Sequence, residues 1–340
     1  MNDAPSLISR KESTALKGLL ILLVVMGHNS ILMEHTGLFP YIYSFHVYCF
    51  YILPFLYGFR VRNEEAVHQI ILSRLWKNVK TYYPLYAFWC CISLAATYIV
   101  KPYPFQPTKI MVAILCSTDQ LRLYCGTAFL WFLPTLVAVM FWRDIFFILS
   151  TNLKKFFFAG TVIIWLLSIL GILDYRFPST FIPFALYIGL AFCFSGIATR
   201  WLVQQIPDVP WKTLLFLPFF AIVPLFIAFR SRLPSGATYL SWSLMPVFAC
   251  TALFQARVLL SRSRILAFLG NHSLGIYLIH VFVFNFLKMC FSKASMLSGI
   301  IIYVFTLAIC IIILLIAERT PVWWLFSTRQ RLKTTGRQMS

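Results

Sequence analysis

Residues 16–29 read Leu16-Lys17-Gly18-Leu19-Leu20-Ile21-Leu22-Leu23-Val24-Val25-Met26-Gly27-His28-Asn29, an apolar run with a cation at its start and an imidazole near its end. A run of this kind, extended to residue 33, suits a helix crossing the hydrocarbon core of a bilayer, which takes about 20 mostly apolar residues. Similar runs recur along the chain, and the reading predicts helices over 16–33, 42–59, 82–100, 128–142, 156–173, 181–200, 213–230, 239–256, 265–287 and 297–317. Of the 340 residues, 60% are hydrophobic and 11% charged, with a mean hydropathy of +0.82. Soluble domains carry roughly 25% charged residues, so the composition excludes a water-soluble fold of this length. The expectation is an all-α polytopic membrane bundle of about ten helices. It forms one domain over 1–340, with a short basic tail from about residue 319.

Charge orients this bundle. An even helix count puts both termini on one side, and 21 of the 29 Lys and Arg residues fall in the segments on that side. The positive-inside rule then makes both termini cytoplasmic. A formal charge of +19 raises the question of nucleic acid, but the cations are spread over every inner loop rather than gathered into a stripe. Anionic lipid head groups are the simpler partners, and no nucleic acid is expected. The polar opening from Met1 to Thr14 runs into a full-length span without a cleavage site, which reads as an uncleaved first helix. The nine cysteines show no ligand spacing, although Cys116 and Cys125 both fall in an outer segment where a disulfide between them would persist.

Ionisable groups within a bilayer are costly and mark functional sites by default. His28, His46 and His280 all lie within predicted spans. Lys17 and His28 are eleven residues apart, just over three turns, so both project from one face about 16 Å apart along the axis. A cation at the mouth and an imidazole at depth suit a long anionic molecule entering from the cytoplasm. Periodicity alone is equally satisfied by a snorkelling lysine and a packing histidine.

The stretch from Ser9 to Asn29 resembles the opening of membrane-bound acyltransferase family 3, whose hallmark is a basic residue, ten residues and then His; here they are Lys17 and His28. Phe45-His46 resembles the family's Phe-His-Met-Pro segment, and Leu130-Trp131-Phe132-Leu133 its Trp-Phe motif. Ser273-Leu274-Gly275-Ile276-Tyr277-Leu278-Ile279-His280 resembles its late Ser-x-x-Ile-Tyr-x-x-His signature. The four follow in family order over nearly the whole chain. The chain departs from the pattern in four places: Lys17 replaces the commoner Arg, Thr14 stands where an acidic residue is frequent, Val47-Tyr48 replaces Met-Pro, and Pro54-Phe55 lies where a small Ser-Gly pair often ends the second helix. Glu12 is the nearest substitute for the missing carboxylate.

The resemblance implies an O-acyltransferase of a bacterial inner membrane, moving acetyl from acetyl-CoA to a cell-surface polysaccharide or lipid-linked sugar. It makes His28 the candidate base, with His46 orienting it or acting at the acceptor side. Lys17 is the motif-based contact for the donor's phosphates, with Arg60 and Arg62 as further candidates. Trp131, Tyr277 and His280 are candidate acceptor-binding residues, for each of which core packing is an equal explanation. No metal-ligand spacing, phosphate loop or Gly-x-Ser-x-Gly elbow occurs, so neither a metal nor nucleotide hydrolysis is expected. Direct transfer and a transient acyl-enzyme remain open. Two other readings stand beside this one: a transporter using the histidines as proton relays, and a scaffold without acyl chemistry.

Overall fold

The computed structural model describes residues 4–59, 67–100, 106–116, 128–169, 184–206, 236–291 and 295–327. Arg60, Arg62, Cys125 and the predicted helix over 213–230 lie outside the described residues; each other predicted segment overlaps a helix. Among the described residues there is no strand, and the sole extended pairing is an isolated bridge between Ala4 and Phe59. Among the described residues, three helical stretches are long and apolar enough to cross a membrane unaided: Phe129–Ile148, Ser273–Cys290 and Met296–Glu318.

The first helix, α1, runs Arg10–His28 and starts at a reciprocal cap: the Ser9 hydroxyl accepts from the Glu12 N–H at 3.2 Å, and the Glu12 carboxylate accepts from the Ser9 N–H at 2.8 Å. This satisfies two donors that a helix start leaves orphaned. The expected single span over 16–33 is in fact broken. At Asn29 the chain turns by 86° into α2, Ser30–Thr36. The cause is the amide of Asn29. Its Oδ1 caps α2 by accepting from Leu32 N–H at 3.0 Å, while its Nδ2 donates to the Gly299 carbonyl at 2.7 Å. Asn29 is buried, so Asn29→Ala strands a donor and an acceptor at once. It is expected to destabilise the protein by about 2–3 kcal/mol, read as a lowered thermal midpoint in detergent; an unchanged midpoint would show that the amide does not hold the bend.

The second predicted span is also divided, into α3 (Phe39–Tyr43) and α4 (Tyr48–Leu56), with His46 in the turn between them. Next come α5 (Val67–Val100), α6 (Pro107–Cys116) and a 3₁₀ turn (Ala128–Trp131) leading into α7 (Phe132–Ile148). They are followed by α8 (Thr151–Ile169), α9 (Phe184–Gln205), α10 (Gly236–Gln255) and the single-turn α11 (Arg257–Leu260). The predicted 265–287 helix is two helices, α12 (Arg264–Asn271) and α13 (Ser273–Cys290), which meet at His272. The last, α14 (Met296–Glu318), is joined to a 3₁₀ turn at Pro321–Leu325.

Apolar burial gives little drive between helices in lipid, so close packing at small residues takes its place. Glycines mark these approaches. A Cβ on Gly189 of α9 would stand 2.7 Å from Ala138 Cβ of α7, and one on Gly196 only 2.2 Å from the Phe55 ring of α4. The principal core cluster, with Tyr51, Phe55, Tyr86, Leu130, Leu133, Cys193, Ile276 and Leu278 at its centre, ties α4, α5, α7, α9 and α13 together.

At the end of the bundle that carries the start of α1, two arginines close the C-terminus of α4. Arg143 Nη1 donates to the Pro54 carbonyl at 3.1 Å, and Arg200 donates to the Phe55 carbonyl at 2.7 Å and to that of Pro5 at 2.8 Å. Cations are favoured there because the last carbonyls of a helix are unpaired and carry the negative end of its dipole. The same contacts hold the segment before α1 across this end, where Leu7 N–H donates to the Leu56 carbonyl.

Candidate active site

Three ring systems far apart in sequence meet where α1 ends. His28 closes α1, His46 comes from the turn before α4, and His280 lies two turns into α13. The centroids of His28 and His280 are 4.9 Å apart, and those of His28 and His46 6.3 Å apart. Tyr43 and Phe129 flank His28 at 5.9 and 6.4 Å.

The hydrogen bonds assign the protons, because a carbonyl oxygen only accepts. His280 Nδ1 lies 2.7 Å from the Tyr277 carbonyl and 3.1 Å from that of Ile276, so Nδ1 carries the proton and Nε2 a lone pair. His28 Nδ1 lies 2.9 Å from the Val24 carbonyl and 3.2 Å from His280 Nε2, and donates to both. The lone pair of His28 is therefore on Nε2. His46 donates through Nδ1 to the Ile42 carbonyl, and its buried Nε2 has no hydrogen-bond partner among the described residues. Each of these two rings thus carries its lone pair on Nε2, and both rings border one region.

That region is a cavity of about 90 Å³ bordered by His28, Tyr43, His46, Tyr48, Phe129 and Trp131, with Val47, Phe132 and Tyr277 completing it. Val47, Phe132 and Tyr277 also border a larger cavity of about 240 Å³, which extends to Lys17, Tyr57, Arg143 and Asn271. The two chambers share these walls. Lys17 and His28 consequently border successive chambers along α1. Among the described residues bordering the larger one there is no Asp or Glu, and its cations are Lys17 and Arg143, the latter paired with Asp144. Lys17 Nζ sits 5.9 Å from the centre of the Tyr57 ring, whose hydroxyl bonds to that of Ser13.

Of the remaining sequence candidates, Trp131 borders the small chamber and Tyr277 both. Tyr277 donates its hydroxyl to the Phe129 carbonyl, so its polar end is spent on holding the wall. His280, expected to line the cavity, borders neither chamber and stands behind His28, 1% exposed. Glu12 is occupied by the α1 cap and by an ion pair with Arg257 at 3.4 Å. Arg143, which sequence reading counted solely as a topology determinant, borders the larger chamber and is held there by Asp144, whose Oδ1 accepts from Arg143 Nε at 2.9 Å. The adjacent Arg-Asp pair was the available signal, an acidic residue being scarce in so apolar a segment. Among the described residues no three His, Cys, Asp or Glu side chains converge as metal ligands would.

Comparison with known proteins adds one finding: the model of a family described as an acyltransferase domain matches residues 10–315. No curated protein and no solved structure matches the chain.

Proposed function

The chain belongs to acyltransferase family 3 and is a membrane acyltransferase, and from that premise we propose that it transfers acetyl from acetyl-CoA to a hydroxyl of a cell-surface polysaccharide or lipid-linked sugar. The observation that carries this reading is the open Nε2 of His28 in a chamber whose neighbour is lined by Lys17 and Arg143. A thioester donor with anionic phosphates needs cations at one end and a base at the other. The bundle has about ten spans with both termini cytoplasmic, so the donor enters from the cytoplasm and the protein sits in a bacterial inner membrane, as one domain. Arg60 and Arg62 are proposed from the sequence as further contacts for the donor's phosphates.

In the reaction, the acceptor hydroxyl oxygen attacks the thioester carbonyl carbon while its proton passes to His28 Nε2. The C–O bond forms, and the tetrahedral intermediate collapses with cleavage of the C–S bond. The proton then moves from His28 to the departing thiolate, giving the ester and free CoA thiol. His46 Nε2 accepts a second hydrogen bond from the acceptor and orients it, and Trp131 offers a flat face to a sugar ring. Enclosure in a chamber walled by aromatic rings strengthens these polar contacts, since the surrounding dielectric is low.

Two measurements test this. NMR of the source cell's surface glycans, before and after mild base, is expected to lose base-labile acetyl signals when the gene is deleted; unchanged esters would remove the acetylation reading. With purified protein, Lys17→Gln is expected to raise KM for acetyl-CoA about 10- to 100-fold, the worth of one charge-assisted hydrogen bond. A truncated acetyl thioester without the nucleotide should react equally well with both forms. Equal loss on both donors would move Lys17 out of the phosphate contact.

A further inference from the structure

Resting on the acyl-transfer reading of His28, we infer that His280 is a positioning residue, the second member of a His28–His280 dyad, and makes no contact with the acceptor. The geometry divides the labour between the rings. His280 is fixed through Nδ1 to two carbonyls of its own helix, Ile276 and Tyr277. Its Nε2 is thereby a permanent acceptor, directed at His28 Nδ1 across 3.2 Å. Its burial leaves no face for a ligand, and the chamber wall is formed by His28 in front of it.

A ring held by one hydrogen bond still swings about that bond. His28 has two acceptors, Val24 O within α1 and His280 Nε2 on α13, and the pair fixes both the tautomer and the plane of the imidazole. The lone pair on Nε2 then points into the small chamber before substrate arrives. When Nε2 takes the acceptor's proton, Nδ1–H becomes part of a cation and its bonds to Val24 O and His280 Nε2 strengthen. His280 thus stabilises the protonated intermediate and keeps its own proton on Nδ1. A neutral imidazole fills the place that a carboxylate holds in hydrolase triads, which suits a bilayer interior where a buried carboxylate is costly.

The test uses the full-length protein in nanodiscs, ¹⁵N-labelled at histidine, as wild type, His280→Leu and His280→Gln. A correlation across the N–H···N bond between the two rings is expected in the wild type. His280→Leu, which lacks an acceptor, is expected to lower kcat about 10- to 100-fold, by analogy with losing the hydrogen-bonding partner of a metal-bound histidine. KM for donor and acceptor should stay within about twofold. His280→Gln presents an amide oxygen near the same place and is expected to recover most of the lost kcat. A raised acceptor KM at wild-type kcat in either variant would make His280 a binding residue and overturn the dyad. If His280→Leu fails to fold, the wild-type correlation and His280→Gln still decide. Ester formation by a wild type without the correlation overturns the dyad, whereas the correlation without any ester formation overturns the acyl-transfer premise.

Discussion

Replacing His28 by alanine is expected to lower ester formation on the order of 10²- to 10⁴-fold, the range that a positioned general base contributes. Among the described residues no other side chain supplies the same group. His280 borders neither chamber, and His46, whose Nε2 is buried, has its ring centroid 6.3 Å from that of His28 and is set by a turn rather than by α1. The loss should fall on kcat, because the proposed contact for the donor's phosphates, Lys17, borders the other chamber, three turns away. The check is glycan O-acetyl content in cells expressing wild type or His28→Ala at matched abundance, with transfer by purified protein beside it. Acetylation by His28→Ala above a tenth of the wild-type level would remove His28 as the base. Loss of ester together with loss of membrane-inserted protein would be a folding defect, so thermal midpoints of both forms accompany the assay.

The second large effect is structural and falls on the seam between α1 and α12. A Cβ on Gly18 would lie 2.0 Å from the Leu266 carbonyl oxygen, and one on Gly270 would lie 1.8 Å from the Thr14 carbonyl oxygen. Both obstacles are backbone atoms, so no rotamer change relieves them, and the helices must part. Overpacking of this kind costs about 1–3 kcal/mol and occasionally more. Here the two contacts face each other across one seam, placing each substitution at or above the top of that range. Gly270→Ala is expected to abolish recovery of monodisperse protein from the membrane or to lower its thermal midpoint by many degrees. Gly160→Ala serves as the contrast. A Cβ there meets nothing within 4 Å, and alanine is favoured over glycine in a helix by about 0.5–1 kcal/mol. Equal midpoints for Gly270→Ala and wild type would mean that the seam is looser than its geometry. The seam matters to chemistry because α1 carries Lys17 and His28 while α12 leads directly into α13, with Tyr277 and His280.

Much of the candidate site is legible along the chain where a single helix decides the geometry. Lys17 and His28 share α1, so their spacing alone aligns them. Tyr277 and His280 share α13 in the same way. The all-helical class follows from apolar runs whose backbone groups a bilayer leaves no choice but to pair internally. Where the reading falls short, a polar side chain has redirected the backbone. Asn29 has no mark in the sequence that separates it from a buried helical asparagine, since what bends the chain is a carbonyl 270 positions away. His46 reads as part of a span because Ile42 to Phe59 is apolar throughout, yet it ends in a turn.

The arginines make the same point. Arg143 and Arg200 read identically as cations at helix ends; the fold binds both to the carbonyls of α4 and gives only Arg143 a place on the larger chamber. What the sequence by itself determined, then, is that this chain is a helical membrane protein with a cation and an imidazole on one face of its first helix, and that it belongs with the acyltransferases whose motifs it carries in order. Hydropathy and helical period act over one to three turns, so they are readable without a partner. The tertiary structure alone decided that His28 faces a chamber and that His280 stands behind it, its Nε2 toward His28 Nδ1. Those facts depend on hydrogen bonds between side chains 252 residues apart, and a direction in space between two helices has no local trace in either.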